Sequence, residues 1–187
     1  MAVGRLMARA VIGGLFVGHG TQKLFGWFGG PGVEGSEQMM RKLGMHPPRH
    51  HALAAGVTET AGGALLAAGL ATPLAAAGLT GAMTTAIRKV HLRNGPWATN
   101  GGYEYNLVLI AALAALVDGG PGRWSLDAAL GIDETGPMWA LAAVATGVAT
   151  SALVMEIGRR MAPPELDYAT TEDQDARARD TADALDA

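Results

Sequence analysis

His19, Gln22 and Lys23 stand at i, i+3 and i+4 in "GHGTQKLFGWFGG", where an apolar stretch ends. That spacing puts all three side chains on one face of a helix. Glu59 interrupts a second apolar stretch, "TETAGGALLAAGLATPLAA". A histidine and a glutamate held together in an apolar setting can exchange protons, and a cation beside them can stabilise negative charge as it develops. At membrane depth an isolated charge costs roughly 2.5–3.5 kcal/mol on insertion scales, so such residues are expected to pair or to face a cavity. Glu59 also fits a purely structural role as a hydrogen-bonded carboxyl between helices, and pairing with Lys23 or Arg88 would keep it charged.

Further polar residues recur at helical spacing. Thr80, Thr84, Arg88 and His91 form one stripe, and Tyr103, Glu104, Tyr105 and Asn106 open the next apolar run. If successive helices alternate in direction, these groups and the His19 face meet in one half of a bundle. Trp97 and Tyr105 could pack on a ring-shaped ligand at its mouth, although Trp27, Phe28 and Trp97 equally suit an interfacial aromatic belt. His46, His50 and His51, in "MHPPRHH", lack the fixed spacing of a zinc site, and no metal is expected. A haem axial pair of His19 with His91 is conceivable but would lie shallow.

The elements that must position these residues are long and apolar. The chain has 187 residues, 49% hydrophobic and 17% charged, with no cysteine. A bilayer core needs roughly 20 apolar residues of helix, and five stretches approach that: 5–25, 52–71, 73–92, 104–118 and 137–157. Thr72-Pro73 divides the second from the third, because proline disfavours helix at the residue before it and suits the first turn of a new one. The charge-free runs Ala10–Gln22 and Tyr105–Val117 are only 13 residues each, a length also found in buried soluble helices. Yet "LAAAGLTGAM" and "LVLIAALAAL" have no charged face at all, which a soluble bundle would require. Small residues, including Gly14 and Gly18, suit close helix packing in lipid. Residues 36–45, "SEQMMRKLGM", read either as an interfacial amphipathic helix or as a lid over the polar pocket.

Charge is distributed unevenly. From Pro163 onward there are eight acidic and two basic residues, against nine acidic and twelve basic before it. That acidic tail cannot bury enough apolar area to offset its ordering entropy and is expected to be disordered. The loops after the first and third spans and the end of the fifth hold Arg41, Lys42, Arg49, Arg88, Lys89, Arg93, Arg159 and Arg160. The positive-inside rule then predicts an outside N-terminus and a cytoplasmic tail. An epitope on the tail should be reached by antibody only after permeabilisation; labelling of intact cells would refute this orientation.

Four blocks in order, "GHGTQKLFGWFGG", "TETAGGALLAAGLATPLAA", "NGPWATNGGYEYNLVLIAALAAL" and "GPGRWSLDAALG", resemble the DoxX family of bacterial membrane proteins over about residues 4–131. The resemblance implies an all-α, polytopic plasma-membrane protein with a four-helix core over 1–131. Residues 132–161 then add a fifth transmembrane helix and 162–187 the acidic tail. It also implies a link to quinone and thiosulfate oxidation or to protection from oxidative and thiol stress. The resulting expectation is a subunit of a redox system that binds a quinone. Glu59 and His19 would handle protons, with Gln22, Lys23, Arg88, Trp97, Glu104 and Tyr105 around the ligand. Without cysteine or a flavin motif, the electrons must come from elsewhere. The expected partners are therefore membrane lipid and a soluble redox protein, with self-association open and no nucleic acid. The rivals are a non-catalytic scaffold that recruits soluble redox enzymes and, ranked last, a small-solute transporter.

Overall fold

Seven α-helices follow one another in the computed structural model, which describes residues 2–132 and 134–163, and no strand occurs among those residues. They are α1 (Ala2–Phe25), α2 (Gly32–Lys42), α3 (Pro48–Ala68), α4 (Thr72–Ala86), α5 (Glu104–Gly119), α6 (Leu126–Leu130) and α7 (Pro137–Arg160). The reading of the acidic tail as disordered falls, from residue 164 onward, outside the described residues. A π-helical turn, Ile87–His91, prolongs α4.

Each of the five expected spans is a helix. Among the described residues, however, only α7 is both long and apolar enough to cross a membrane on its own. The others fail for identifiable reasons. α1 has 24 residues but carries Arg5, Arg9 and Lys23. α4 and α5, of 15 and 16 residues, rise about 22–24 Å, short of a hydrocarbon core of about 30 Å.

α1 lies along α3, α4 follows on the other flank of α3, and α4 also packs against α5 and α7. α2 crosses the ends of α1 and α3. Glycine sets the α1–α3 approach: a Cβ at Gly13 would strike the backbone of Gly63 and Ala67, and one at Gly20 would strike Thr60 and Gly56. Gly14 and Gly18, the pair expected from sequence to pack closely, face open space instead. The interface uses glycines seven apart, two helical turns, on the face that also carries Phe16. α7 meets α4 through Gly81 and Gly147. Phe16, Leu66, Leu79, Leu113, Leu116 and Val117 fill the core.

The outer surface is apolar. Val3, Met7, Val11 and Leu15 run along α1 at four-residue intervals, all largely exposed, and Leu107 and Val108 on α5 and Leu141, Val148 and Leu153 on α7 match them.

The end of the bundle where α3 turns into α4 is closed by a polar knot. Arg9 is fully buried and donates from Nη1 to the Ala67 carbonyl (3.1 Å) and from Nη2 to that of Trp124 (2.7 Å). The Asp127 carboxylate accepts from the backbone N–H groups of Ala71 (2.7 Å) and Thr72 (3.1 Å) and from Thr72 Oγ1 (2.7 Å). Ser125 caps α6, accepting from the Ala128 N–H at 3.2 Å. Residues 120–131 are thereby fastened to the helical hairpin.

Candidate functional site

At the opposite end, α1, α3, α4, α5 and α7 surround a cavity of about 610 Å³, roofed by α2 and the turn after it. That volume is in the range of small-molecule sites. Its polar side chains come from all five of these helices.

On α1, His19 and Gln22 line the cavity with Nδ1 and Oε1 3.1 Å apart, as expected for residues three apart on one face. Lys23, one turn beyond His19, forms an ion pair with Glu59 of α3. α3 begins where α1 ends, so a residue about three turns into α3 lies level with the last turns of α1. Glu59 is 6% exposed, with its carboxyl group against the Lys23 ammonium group. Both its readings, packing carboxyl and reactive group, are compatible with this geometry.

α4 presents a different face from the one expected. Gly78, Gly81, Ala82, Thr85, Ala86, Lys89 and Val90 line the cavity, at intervals of three and four. The stripe Thr80, Thr84, Arg88 is out of phase with that face: Thr80 is buried where a Cβ on Gly147 of α7 would meet it, and Arg88 is exposed. The cation on this wall is therefore Lys89, whose Nζ also donates to the Leu43 carbonyl at 3.1 Å. His91 reaches the cavity from the π turn, its Nδ1 2.7 Å from the Gly101 carbonyl oxygen.

α5 contributes Tyr105, half exposed, and Asn106, buried; α7 contributes Thr150, Ser151 and Val154. Ser151 and Thr85 share a hydroxyl hydrogen bond of 2.8 Å. Trp97 and Glu104 do not line the cavity. Trp97 is 63% exposed, and the Glu104 carboxylate accepts from the Ala98 N–H at 2.8 Å, organising the loop before α5.

Residues 36–45 roof the cavity, as one of their two readings expects. Met39, itself 38% exposed, borders it with Met40, Leu43 and Met45, while Glu34, Gln38, Arg41 and Lys42 face outward. Ser36 Oγ lies 3.4 Å from the Lys23 carbonyl, tying the roof to α1 beside the ion pair. Unbranched thioether side chains adapt to ligands of varied shape.

Residues 4–92, which carry His19, Lys23, Glu59 and Lys89, match the DoxX family model. Over that segment the chain is assigned to the DoxX family, which points to a membrane protein of a redox-associated family. No curated protein and no solved structure matches it. The DoxX match ends at residue 92, so two of the four resembling blocks lie beyond it. Tyr105, Asn106 and the α7 side chains complete the cavity from outside the matched segment.

Proposed function

We propose that this DoxX protein is a membrane redox subunit whose roofed cavity binds a quinone, headgroup against the polar walls and tail along the apolar ones. The observation that carries the reading is an amphipathic cavity inside a bundle whose outside is also apolar: Ile12, Leu15, Phe16, Met83 and Leu109 line it together with an ion pair and a buried amide. A ligand matching both linings has a polar head and a long apolar tail, which partitions into lipid. A quinone supplies reversible two-electron, two-proton chemistry when bound.

The chain's own residues then have distinct tasks. Lys23 and Lys89 bring positive charge to the walls and stabilise anionic character on a ligand oxygen. Glu59 accepts a proton when its pairing with Lys23 is loosened, and His19, near the cavity edge, passes protons between the site and water. Met39 and Met40 border the site from above. Arg88, Trp97 and Glu104 have no direct part, since they stand off the cavity wall. Electrons arrive from a soluble redox protein. The polytopic arrangement belongs to the same proposal: the apolar flanks of α1, α5 and α7 let the bundle enter lipid together, although most helices are individually too short or too polar. The cavity end carries Arg41, Lys42, Arg49, Arg88, Arg93, Arg159 and Arg160 and faces the cytoplasm.

The test is to purify the full-length protein in mild detergent with its native lipids and to assay the extract for quinone. Near-stoichiometric quinone is expected. Its absence, together with failure to take up an added short-chain quinone, would overturn the reading in favour of a scaffold.

A further inference from the structure

Asn106 is 7% exposed and lines the cavity from α5. Its Nδ2 has one weak partner, Met83 Sδ at 3.4 Å. A buried amide carries two donors and an acceptor with two lone pairs, and leaving them unmet costs stability. Buried side-chain polar groups in folded proteins are nearly always hydrogen-bonded. Met83 could not replace such a partner, because a thioether is a poor acceptor. A leucine at this position would pack against Leu109 and Met83 without that penalty. The amide is therefore placed for a partner that enters the cavity.

We propose that Asn106 is a second polar anchor of the site, recognising a ligand oxygen that does not reach the Lys23–Glu59 pair. The inference rests on the quinone reading and narrows it. The ligand carries two oxygen functions on one ring: one is held from the α1–α3 side by Lys23, Glu59 and His19, the other from α5 by Asn106. An amide suits both redox forms, since Nδ2 donates to a carbonyl and Oδ1 accepts from a hydroxyl. Lys23 and Glu59 select for charge and protons, whereas Asn106 selects for the presence and position of the second oxygen. Asn106 is thus a specificity-determining residue that touches the ligand without titrating.

The experiment uses full-length protein in lipid nanodiscs and three probes: 2-decyl-1,4-benzoquinone and the one-oxygen rings 2-decylphenol and 3-decylphenol. Wild type should bind the quinone about tenfold more tightly than the phenol lacking the Asn106-facing oxygen, the value of one hydrogen bond of about 1.4 kcal/mol. Asn106→Leu should lose about tenfold for the quinone and erase the difference from that phenol, while the ligand-free melting temperature stays equal or rises. Asn106→Ala repeats the test if leucine does not fit. Equal quinone affinity in wild type and Asn106→Leu would overturn the inference and leave the quinone reading standing. So would an equal loss for all three probes with a lowered melting temperature, which marks a packing role. No quinone binding by wild type would overturn both.

Discussion

Asp127→Ala is expected to lower the free energy of unfolding by about 3–5 kcal/mol, measured by guanidinium titration in detergent with circular dichroism, while quinone affinity of the folded protein stays at the wild-type value. The carboxylate is 2% exposed and holds three donors across the α3–α4 turn. Its loss leaves the Ala71 and Thr72 N–H groups without acceptors in a place water barely reaches. Two further costs accompany this. Ala71 sits in the left-handed region at φ 46°, an uncommon conformation for a residue with a Cβ, and Asp127 is what fastens it there. Arg9, fully buried, also loses the negative charge that faces it. Asp127→Asn keeps one acceptor oxygen and the side-chain volume, so it should fall between. A loss below about 1 kcal/mol for the alanine variant would mean that this knot is held by packing rather than by its hydrogen bonds.

That knot was the least legible part of the sequence. Asp127 reads as one more acidic residue of a loop, because its three partners lie more than fifty residues away and are backbone groups or a threonine. Arg9 reads as a flanking charge near the start of an apolar span, whereas its guanidinium is enclosed by carbonyls from two other segments. Contacts of this kind leave no periodic trace. The long helices, by contrast, were legible almost to their ends: apolar runs bounded by Thr72-Pro73, the "NGPWATNGG" loop and Arg159-Arg160 became α3, α4, α5 and α7. Apolar content specifies where helices run, but not which of them can cross a bilayer unaided, since that depends on length and buried charge together.

The site was legible in part. The i, i+3, i+4 set on α1 survives as a cavity wall, and Glu59 meets that wall as the alternation of helix directions requires. The α4 wall was misphased by one residue. Arg88 and Lys89 are adjacent cations, and the threonine stripe suggested the face through 80, 84 and 88. Packing decides otherwise: Gly78 and Gly81 lie on the cavity face, with Gly81 also close against Gly147, while Thr80 is buried against Gly147 on the other side. Asn106 was visible as a polar residue at the right end of α5, but that its amide meets only the Met83 thioether is a property of the folded surroundings alone.

The ion pair between Lys23 and Glu59 carries the second large effect. Glu59→Ala leaves the Lys23 ammonium without its counter-charge in an apolar wall, where removing one partner of a buried pair costs about 3–5 kcal/mol. The Lys23 side chain remains 20% exposed, so water screens part of the charge and the expected loss is about 2–3 kcal/mol. Restoring neutrality should recover most of it: the double variant Lys23→Met, Glu59→Leu is expected within about 1 kcal/mol of wild type, since apolar residues of similar volume often replace a buried pair without cost. The thermodynamic cycle through both single variants then yields a coupling of about 1–3 kcal/mol. Stability and function separate in the same four proteins. If the pair exists to fix packing, the double variant should bind quinone as wild type does, because the cavity keeps its shape. If it exists to meet a ligand, as the apolar walls around it and the weakly partnered amide of Asn106 argue, the double variant should fold and bind at least tenfold more weakly. A stable double variant with unchanged quinone affinity would remove Glu59 and Lys23 from the site and return them to the role of helix fasteners.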